Sequence, residues 1–322
     1  MGKVLVSASH FDTLCKDAWK LLEDNGHEVV FDRDRVFPAY SKEELIKILP
    51  DMDAAIIGLD DYTDPDVWKA ARKLKVANKF GVGVDNISIE LANEHGAKVC
   101  NCPGQNSNSV AELTIALIID VLRHVVEQHE QMKNGQEWTR PLGTEIKGKT
   151  IGLYGFGAIA RMVAEKLKAF DVILLAYDPY PNAAAAEKLG VKLVSPETLI
   201  ESSDIISLHA PATQENYHLF NKDVMAKMKK GSFLVNAARG ALVDLDALAD
   251  ALQSGQIAGA ALDAFEVEPL PKDSKIFHCS NIVLTEHAGA ETREAYMRVG
   301  LTAAQNVVDV LAGREPKFCV NK

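Results

Sequence analysis

The chain has no uninterrupted apolar run of membrane-spanning length. The longest candidate, Leu113 to Val121, is broken by Thr114 and Asp120, whereas a spanning helix needs about 20 apolar residues. A long apolar leader is missing as well. MGKVLVSASHF carries one Lys and a short strand-like VLV, so no membrane partner and a cytoplasmic location are expected. There is no basic stripe: 35 Lys plus Arg stand against 45 Asp plus Glu, a formal net charge of -10. That balance argues against nucleic acid as a partner. It also leaves any anionic ligand to local positive groups and backbone dipoles. Zinc-type cysteine pairing is absent too. The five cysteines (Cys15, Cys100, Cys102, Cys279, Cys319) are odd in number, and the tight Cys100-x-Cys102 has no second pair. They read as reduced thiols, and no metal is expected. What is present is an ordinary globular composition, 47% hydrophobic and 25% charged over 322 residues, long enough for two domains.

A strand–helix rhythm fills the first hundred residues. VLVSAS (Val4 to Ser9), HEVVF (His27 to Phe31), AAIIG (Ala54 to Gly58), KVANKFG (Lys75 to Gly81) and AKVCN (Ala97 to Asn101) read as short buried strands. Helical patterns lie between them at Lys16 to Asn25, Ser41 to Leu49 and Asp64 to Leu74, and Ser41 with Glu44 makes a capping box. Alternation of this kind predicts a parallel sheet with helices on both faces. After the turn at Asn101-Cys-Pro-Gly104, apolar residues at helical spacing predict one helix over Ser109 to Gln131. Its broad apolar face must be buried within the chain or on a twin subunit. A second alternating series starts at Thr150, with strands expected at Ile151–Tyr154, Val172–Tyr177, Ile205–Leu208, Phe233–Asn236, Ala260–Asp263 and Ile282–Leu284. A last helical pattern covers Thr292 to Leu311. The predicted fold class is therefore α/β with two doubly wound parallel-sheet domains. A Rossmann-type domain (102–291) is inserted into a flavodoxin-like outer domain (1–101 and 292–322).

TIGLYGFGAIA, Thr150 to Ala160, is the most informative stretch. A short apolar strand breaks into Gly155 and Gly157, Ala160 occupies the third small position, and a helical pattern follows. A second apolar run then ends in Asp178, about 20 residues further on. Strand, Gly-x-Gly-x-x-small, helix, strand and acid together make the dinucleotide-binding fingerprint. Gly155 and Gly157 let backbone approach a pyrophosphate at the helix start, where Ala158 and Ile159 offer their amides and the peptide dipoles favour negative charge. A carboxylate at position 178 accepts hydrogen bonds from a ribose and repels a 2′-phosphate, so NAD is expected rather than NADP.

Three further strands each end in a chemically useful residue. NAARG puts Arg239, AALDAFEVEPL puts Glu268, and IVLTEHAG puts His287 at the carboxyl edge of the second sheet, where ligands bind in open α/β folds. Arginine supplies a planar fork for a carboxylate or carbonyl oxygen. Histidine exchanges a proton near neutral pH, and a buried glutamate beside it favours the imidazolium. Each also has a plainer explanation: Arg239 capping a turn, Glu268 as a solvated charge beside Glu266, His287 as a structural histidine. On the residues alone both readings stay open.

These segments, with GVGVDNI and NSNSVAELT upstream, resemble the motifs of the D-isomer-specific 2-hydroxyacid dehydrogenase family over nearly the whole chain. Within that family the chain looks most similar to phosphoglycerate dehydrogenases lacking a regulatory domain. The resemblance implies NAD-dependent hydride transfer to C2 of a small 2-oxo acid, with Arg239, Glu268 and His287 catalytic. The Glu at 268 separates the chain from formate dehydrogenases, which use Gln. It also implies that His209, Ala210, Pro211 and Thr213 run along the cofactor, joined by Ala237, Asp263 and Gly289. Lys79, Val82 and Gly83 would receive substrate together with Arg239 and His287, and closure of the outer domain would exclude water. A homodimer is implied as well. Two departures bear on the substrate. Glu286 stands where the family often has Pro, and Gly58-Leu-Asp-Asp61 carries two acids where phosphoglycerate enzymes commonly carry an Arg. Glyoxylate and hydroxypyruvate therefore compete with a phosphorylated acid. The alternative from a different class is a dinucleotide-sensing scaffold like the C-terminal-binding corepressors, which keep the trio without significant turnover.

Overall fold

The computed structural model describes residues 2–34 and 39–321. The chain divides into two compact units, Met1–Asn106 with Ala290–Lys322, and Ser107–Gly289. Residues 102–106 and 290–291, which the sequence reading assigned to the inserted domain, group with the first unit. The cause is local: Cys102 N–H donates to the Gly81 carbonyl (2.7 Å), and Arg298 Nε donates to the Gln105 carbonyl (2.9 Å).

The first unit is built on five parallel strands: β1 (Lys3–Val6), β2 (Glu28–Val30), β3 (Ala54–Ile57), β4 (Val76–Lys79) and β5 (Lys98–Cys100). Their order, β2-β1-β3-β4-β5, is the flavodoxin-like one. Period-two alternation sends Val4, Val6, Ala54, Ile56 and Val76 to one core, shared with Val299, Ala303 and Val307 of the helix Arg293–Leu311. Leu5, Ala55, Ile57, Ala77 and Val99 face the other, with Leu45 and Trp68. The capping box at Ser41 forms as expected, Glu44 N–H donating to Ser41 Oγ and Ser41 N–H to Glu44 Oε2. The helix expected over Asp64 to Leu74 is shorter, Pro65–Ala70. Its Ala71 leaves helical geometry (ψ 44) and the chain turns into β4.

Seven parallel strands make the second unit: β6 (Thr150–Tyr154), β7 (Ile173–Tyr177), β8 (Lys192–Leu193), β9 (Ile205–Leu208), β10 (Ser232–Asn236), β11 (Ile257–Leu262) and β12 (Ile282–Leu284). They lie in the order β12-β11-β10-β9-β6-β7-β8. The doubly wound order reverses between β6 and β9, the topological switch point where such sheets bind ligands. The expected helix Ser109–Gln131 is two helices, Ser107–Arg123 and Val125–Lys133. His124 between them is left-handed (φ 53), and the Leu122 carbonyl accepts from Thr144 N–H (2.8 Å). The first helix buries Leu117, Ile118, Val121 and Leu122 against its own sheet. These apolar residues are therefore covered within the chain.

Candidate active site

At the switch point Gly155 has φ 95, and a Cβ there would sit 2.7 Å from the Ala210 nitrogen and the His209 carbonyl carbon. Only glycine fits both the backbone hand and the close approach of β9's loop. Gly157 is different: a Cβ there meets nothing within 4 Å. It opens the helix Ala158–Leu167 without any side-chain cap, which leaves the first turn, Ala158 and Ile159 included, as an uncapped, electropositive helix start. Ala160 is fully buried beneath them. Asp178 closes the site from β7, its Oδ2 accepting from Phe156 N–H and its Oδ1 from Tyr180 N–H, both at 2.8 Å. A glycine with open space before it, an uncapped helix start and a fixed carboxylate suit a dinucleotide pyrophosphate and ribose.

Past β9, burial pushes the His209 imidazole down to about 4, so it is neutral near pH 7, with its Nε2 2.9 Å from Ser207 Oγ. The following Pro211–Thr213 turn is held by Asn216, which accepts from Thr213 N–H (2.6 Å) and donates to the Pro211 carbonyl (2.7 Å). Past β10, buried Asn236 shapes the next turn. It accepts from Ala238 N–H (3.0 Å) and donates to the Arg239 carbonyl (2.9 Å), leaving Ala237 half-buried at the crevice.

Glu268 and His287 meet. His287 Nδ1 lies 3.0 and 2.9 Å from the two Glu268 carboxylate oxygens, and Phe265 N–H donates to Glu268 Oε1 (2.9 Å). The hydrogen bond to Glu268 raises the His287 pKa above the ordinary imidazole value. Burial opposes it, the Glu268 and Asp263 charges add to it, and Arg239 works against it. Burial tends to raise Glu268, but the bonds from His287 and Phe265 and the His287 and Arg239 charges outweigh it and hold this carboxyl below its usual range. Arg239 is half-buried, with Nη1 donating to the Ala238 carbonyl (2.8 Å). The charges acting on His287 are thus those of Glu268, Asp263 and Arg239, while Glu286 is exposed beside it.

The structure adds supporting contacts that the motifs do not mark. His287 is held at φ 54, a backbone hand costly for a residue with a Cβ. Buried Asp263 braces it: its carboxylate accepts from Ala288 N–H (2.7 Å), Gly289 N–H (2.9 Å) and the Thr285 hydroxyl (2.5 Å). Asp263 therefore supports the His287 turn with both oxygens, and Gly289 lies within that bracing. Glu266 is tied down as well, by the Tyr217 hydroxyl (2.5 Å) and His218 Nε2 (2.8 Å). In the first unit, Lys79 Nζ donates to the Gly58 carbonyl. Asp60 is fully buried and bonded to the Ser7 hydroxyl and Tyr40 N–H, whereas exposed Asp61 accepts from Thr63. Val82 is 38% exposed. Among the described residues the Val82 and Gly83 amides donate to no carbonyl or side chain.

A doubly wound sheet with a glycine-rich loop at its switch point, and an Arg–Glu–His set past its neighbouring strands, defines the class of nucleotide-binding α/β folds. Comparison narrows this class. Residues 115–289 match the family model described as "D-isomer specific 2-hydroxyacid dehydrogenase, NAD binding domain". The chain is 42% identical over 308 residues to a glyoxylate reductase of Thermofilum pendens, covering 92% of this chain and 88% of that protein. It is 39% identical over 321 residues to a D-3-phosphoglycerate dehydrogenase of Archaeoglobus fulgidus, covering 99% of this chain but only 59% of that longer protein. The apo-structure of D-lactate dehydrogenase from Escherichia coli superposes with a TM-score of 0.86 at 31% identity, covering 99% of this chain and 100% of that one. The chain belongs to the D-isomer-specific 2-hydroxyacid dehydrogenase family, and its second unit is the family's NAD-binding domain.

Proposed function

We propose that the protein is an NAD-dependent D-2-hydroxyacid dehydrogenase that reduces a small 2-oxo acid at C2. The single observation that carries this reading is the His287–Glu268 pair at 2.9 Å beside Arg239, in a unit built for NAD. When bound, NADH supplies the hydride. Glu268 occupies Nδ1 of His287, which leaves Nε2 to hand its proton to the carbonyl oxygen and to take it back in the oxidative direction. Arg239 presents a planar pair of donors to the substrate's carboxylate or carbonyl oxygen. The Val82 and Gly83 amides are suited to an anion. Asp60 and Asp61 stand where phosphoglycerate enzymes commonly carry an Arg, which favours an unphosphorylated acid such as glyoxylate or hydroxypyruvate over 3-phosphohydroxypyruvate. The relatives named above carry enzyme names, which favours turnover over a sensing scaffold.

The test is steady-state oxidation of NADH and NADPH against a panel of these three acids and branched 2-oxo acids. Turnover with NADH, best on an unphosphorylated acid, is the expected result, and Asp178→Ala should narrow the gap between the two cofactors. Tight NADH binding with negligible turnover across the panel would leave the scaffold reading standing.

The pH profile offers an independent check. Reduction needs protonated His287, so its rate should hold at lower pH and fall as pH rises through a pKa lying above the ordinary imidazole value. Oxidation should show the reverse. In Glu268→Gln the amide keeps a hydrogen-bonding oxygen but loses the charge, so the fall should begin at lower pH. An unmoved profile would separate Glu268 from the titrating group.

The homodimer belongs here too. Val125, Val126, Met132, Trp138 and Leu142 are 36–95% exposed along one segment of the second unit, a concentration that suits a second copy of the chain. A sedimentation mass of one chain at micromolar concentration would contradict this assembly.

A further inference from the structure

Cys100 and Cys319 face each other across an isolated antiparallel bridge. Cys100 ends β5, an edge strand of the five-stranded sheet, and the segment around Cys319 lies along that edge. Val320 N–H donates to the Val99 carbonyl (2.7 Å). This bond flanks the two cysteines instead of joining them, which makes them the non-hydrogen-bonded pair of the ladder. Residues in that register stand about 4.5 Å apart at Cα with their side chains drawn together, inside the range of about 4.4–6.8 Å that a disulfide accepts. Asn321 anchors the segment from beyond: its Oδ1 accepts from Val99 N–H (2.6 Å), and its Nδ2 donates to the Ala97 carbonyl (2.9 Å) and to Asn93 Oδ1 (2.7 Å).

We propose that Cys100 and Cys319 form an oxidation site, in which hydrogen peroxide converts the two thiols to a disulfide that staples the 318–321 segment to the edge of the first unit's sheet. Their environments differ in a way that orders the steps. Cys100 is fully buried; burial raises its thiol well above the ordinary range, and the Cys319 thiol adds to the shift. Cys319 is only partly buried, with its Sγ directed to the Asn321 carbonyl (2.7 Å), so it meets the oxidant first. Its sulfur attacks the peroxide O–O bond, giving a sulfenic acid and one water. The Cys100 sulfur then displaces the hydroxyl from that sulfur, forming the S–S bond and releasing a second water. Two electrons pass from the two sulfurs to the peroxide oxygens, and both thiol protons leave in the waters.

The other cysteines do not share this arrangement. Cys102 Sγ donates to the Lys79 and Val299 carbonyls, and burial pushes its thiol up to about 12. Cys15 Sγ donates to the Tyr296 carbonyl (3.2 Å), and Cys279 Sγ is directed at the Ala249 and Lys275 carbonyls.

The test treats the native chain with stoichiometric hydrogen peroxide, blocks the remaining thiols with N-ethylmaleimide in denaturant, and digests with trypsin without reductant. Expected are two fewer blocked thiols of the five and a cross-linked pair of peptides, Val99–Arg123 with Phe318–Lys322. Dithiothreitol should release the pair. Cys102→Ser should retain it and Cys319→Ser should lose it, and fragmentation of the wild-type cross-linked pair between Cys100 and Cys102 decides the matter even if a variant folds poorly. Oxidation of Cys319 to the sulfinic acid without cross-link, or a link that follows Cys102 in place of Cys100, overturns the proposal.

Discussion

Replacing His287 by alanine is expected to lower turnover by about 10²–10⁴-fold in both directions, the range a positioned general acid–base contributes, while NADH binding changes little. The fold-change corresponds to about 3–5 kcal/mol of transition-state stabilisation. The asymmetry between turnover and binding follows from where the side chain sits. His287 is tied to Glu268 through Nδ1 and lies past β12, whereas the glycine loop and Asp178 lie past β6 and β7. Removing the imidazole leaves Asp263 still bonded to the Ala288 and Gly289 amides, so the turn has its brace and alanine inherits only the strain of a positive φ. Stopped-flow turnover set beside a fluorescence titration with NADH separates the two effects. Near-normal turnover in the variant would assign the proton to another donor and remove the basis of the proposed chemistry.

Much of this site is legible in the sequence, because parallel strands buried on both faces end where their apolar runs end. Arg239, Glu268 and His287 follow such runs, and the sheet order makes those runs neighbours. The fingerprint is legible for a similar reason: Gly155 answers a local backbone requirement, and the ribose role proposed for Asp178 rests on a spacing that the sequence alone expresses. What escapes is set by tertiary contact. Apolar spacing continues through His124, yet the helix stops there because a distant amide, Thr144 N–H, takes the Leu122 carbonyl. Periodicity reads side-chain type and is blind to that competition. β8 has two residues, too few for any pattern, and β11 begins at Ile257, three residues ahead of the apolar run that marked it.

Asp263 shows the same limit at the site itself. The family resemblance directs it toward the cofactor, while the described hydrogen bonds direct both of its oxygens to the turn that carries His287. Its role as a brace depends on that turn's left-handed backbone, and no residue type in TEHAG announces such a conformation. The pairing of Cys100 with Cys319 is equally silent in the sequence, since the two come together only through the register of a long-range bridge.

Gly240→Ala is expected to have the second large effect, at a position that touches no reacting group. A Cβ there would lie 1.9 Å from the Phe265 carbonyl carbon and 2.2 Å from the Glu266 nitrogen, distances at which backbone must move. Two segments can yield, and both matter: the turn carrying Arg239 on one side, and the Phe265–Glu268 loop on the other. That loop holds Glu268 through the Phe265 amide and is pinned beyond it by Tyr217 and His218 on Glu266, so strain passes into the His287–Glu268 pair instead of relaxing into solvent. A displacement near 1 Å at such a site costs about 10²-fold in rate, and overpacking of this kind costs about 1–3 kcal/mol of stability. Gly157→Ala is the matched contrast. Its methyl meets no heavy atom within 4 Å beyond the two flanking residues, so the thermal midpoint should hold while the KM for NADH rises, because the added group occupies the space proposed for the pyrophosphate. Thermal unfolding and steady-state kinetics on both variants read the distinction directly. If Gly240→Ala keeps wild-type kcat, the 265–268 loop is not the support that sets Glu268 against His287.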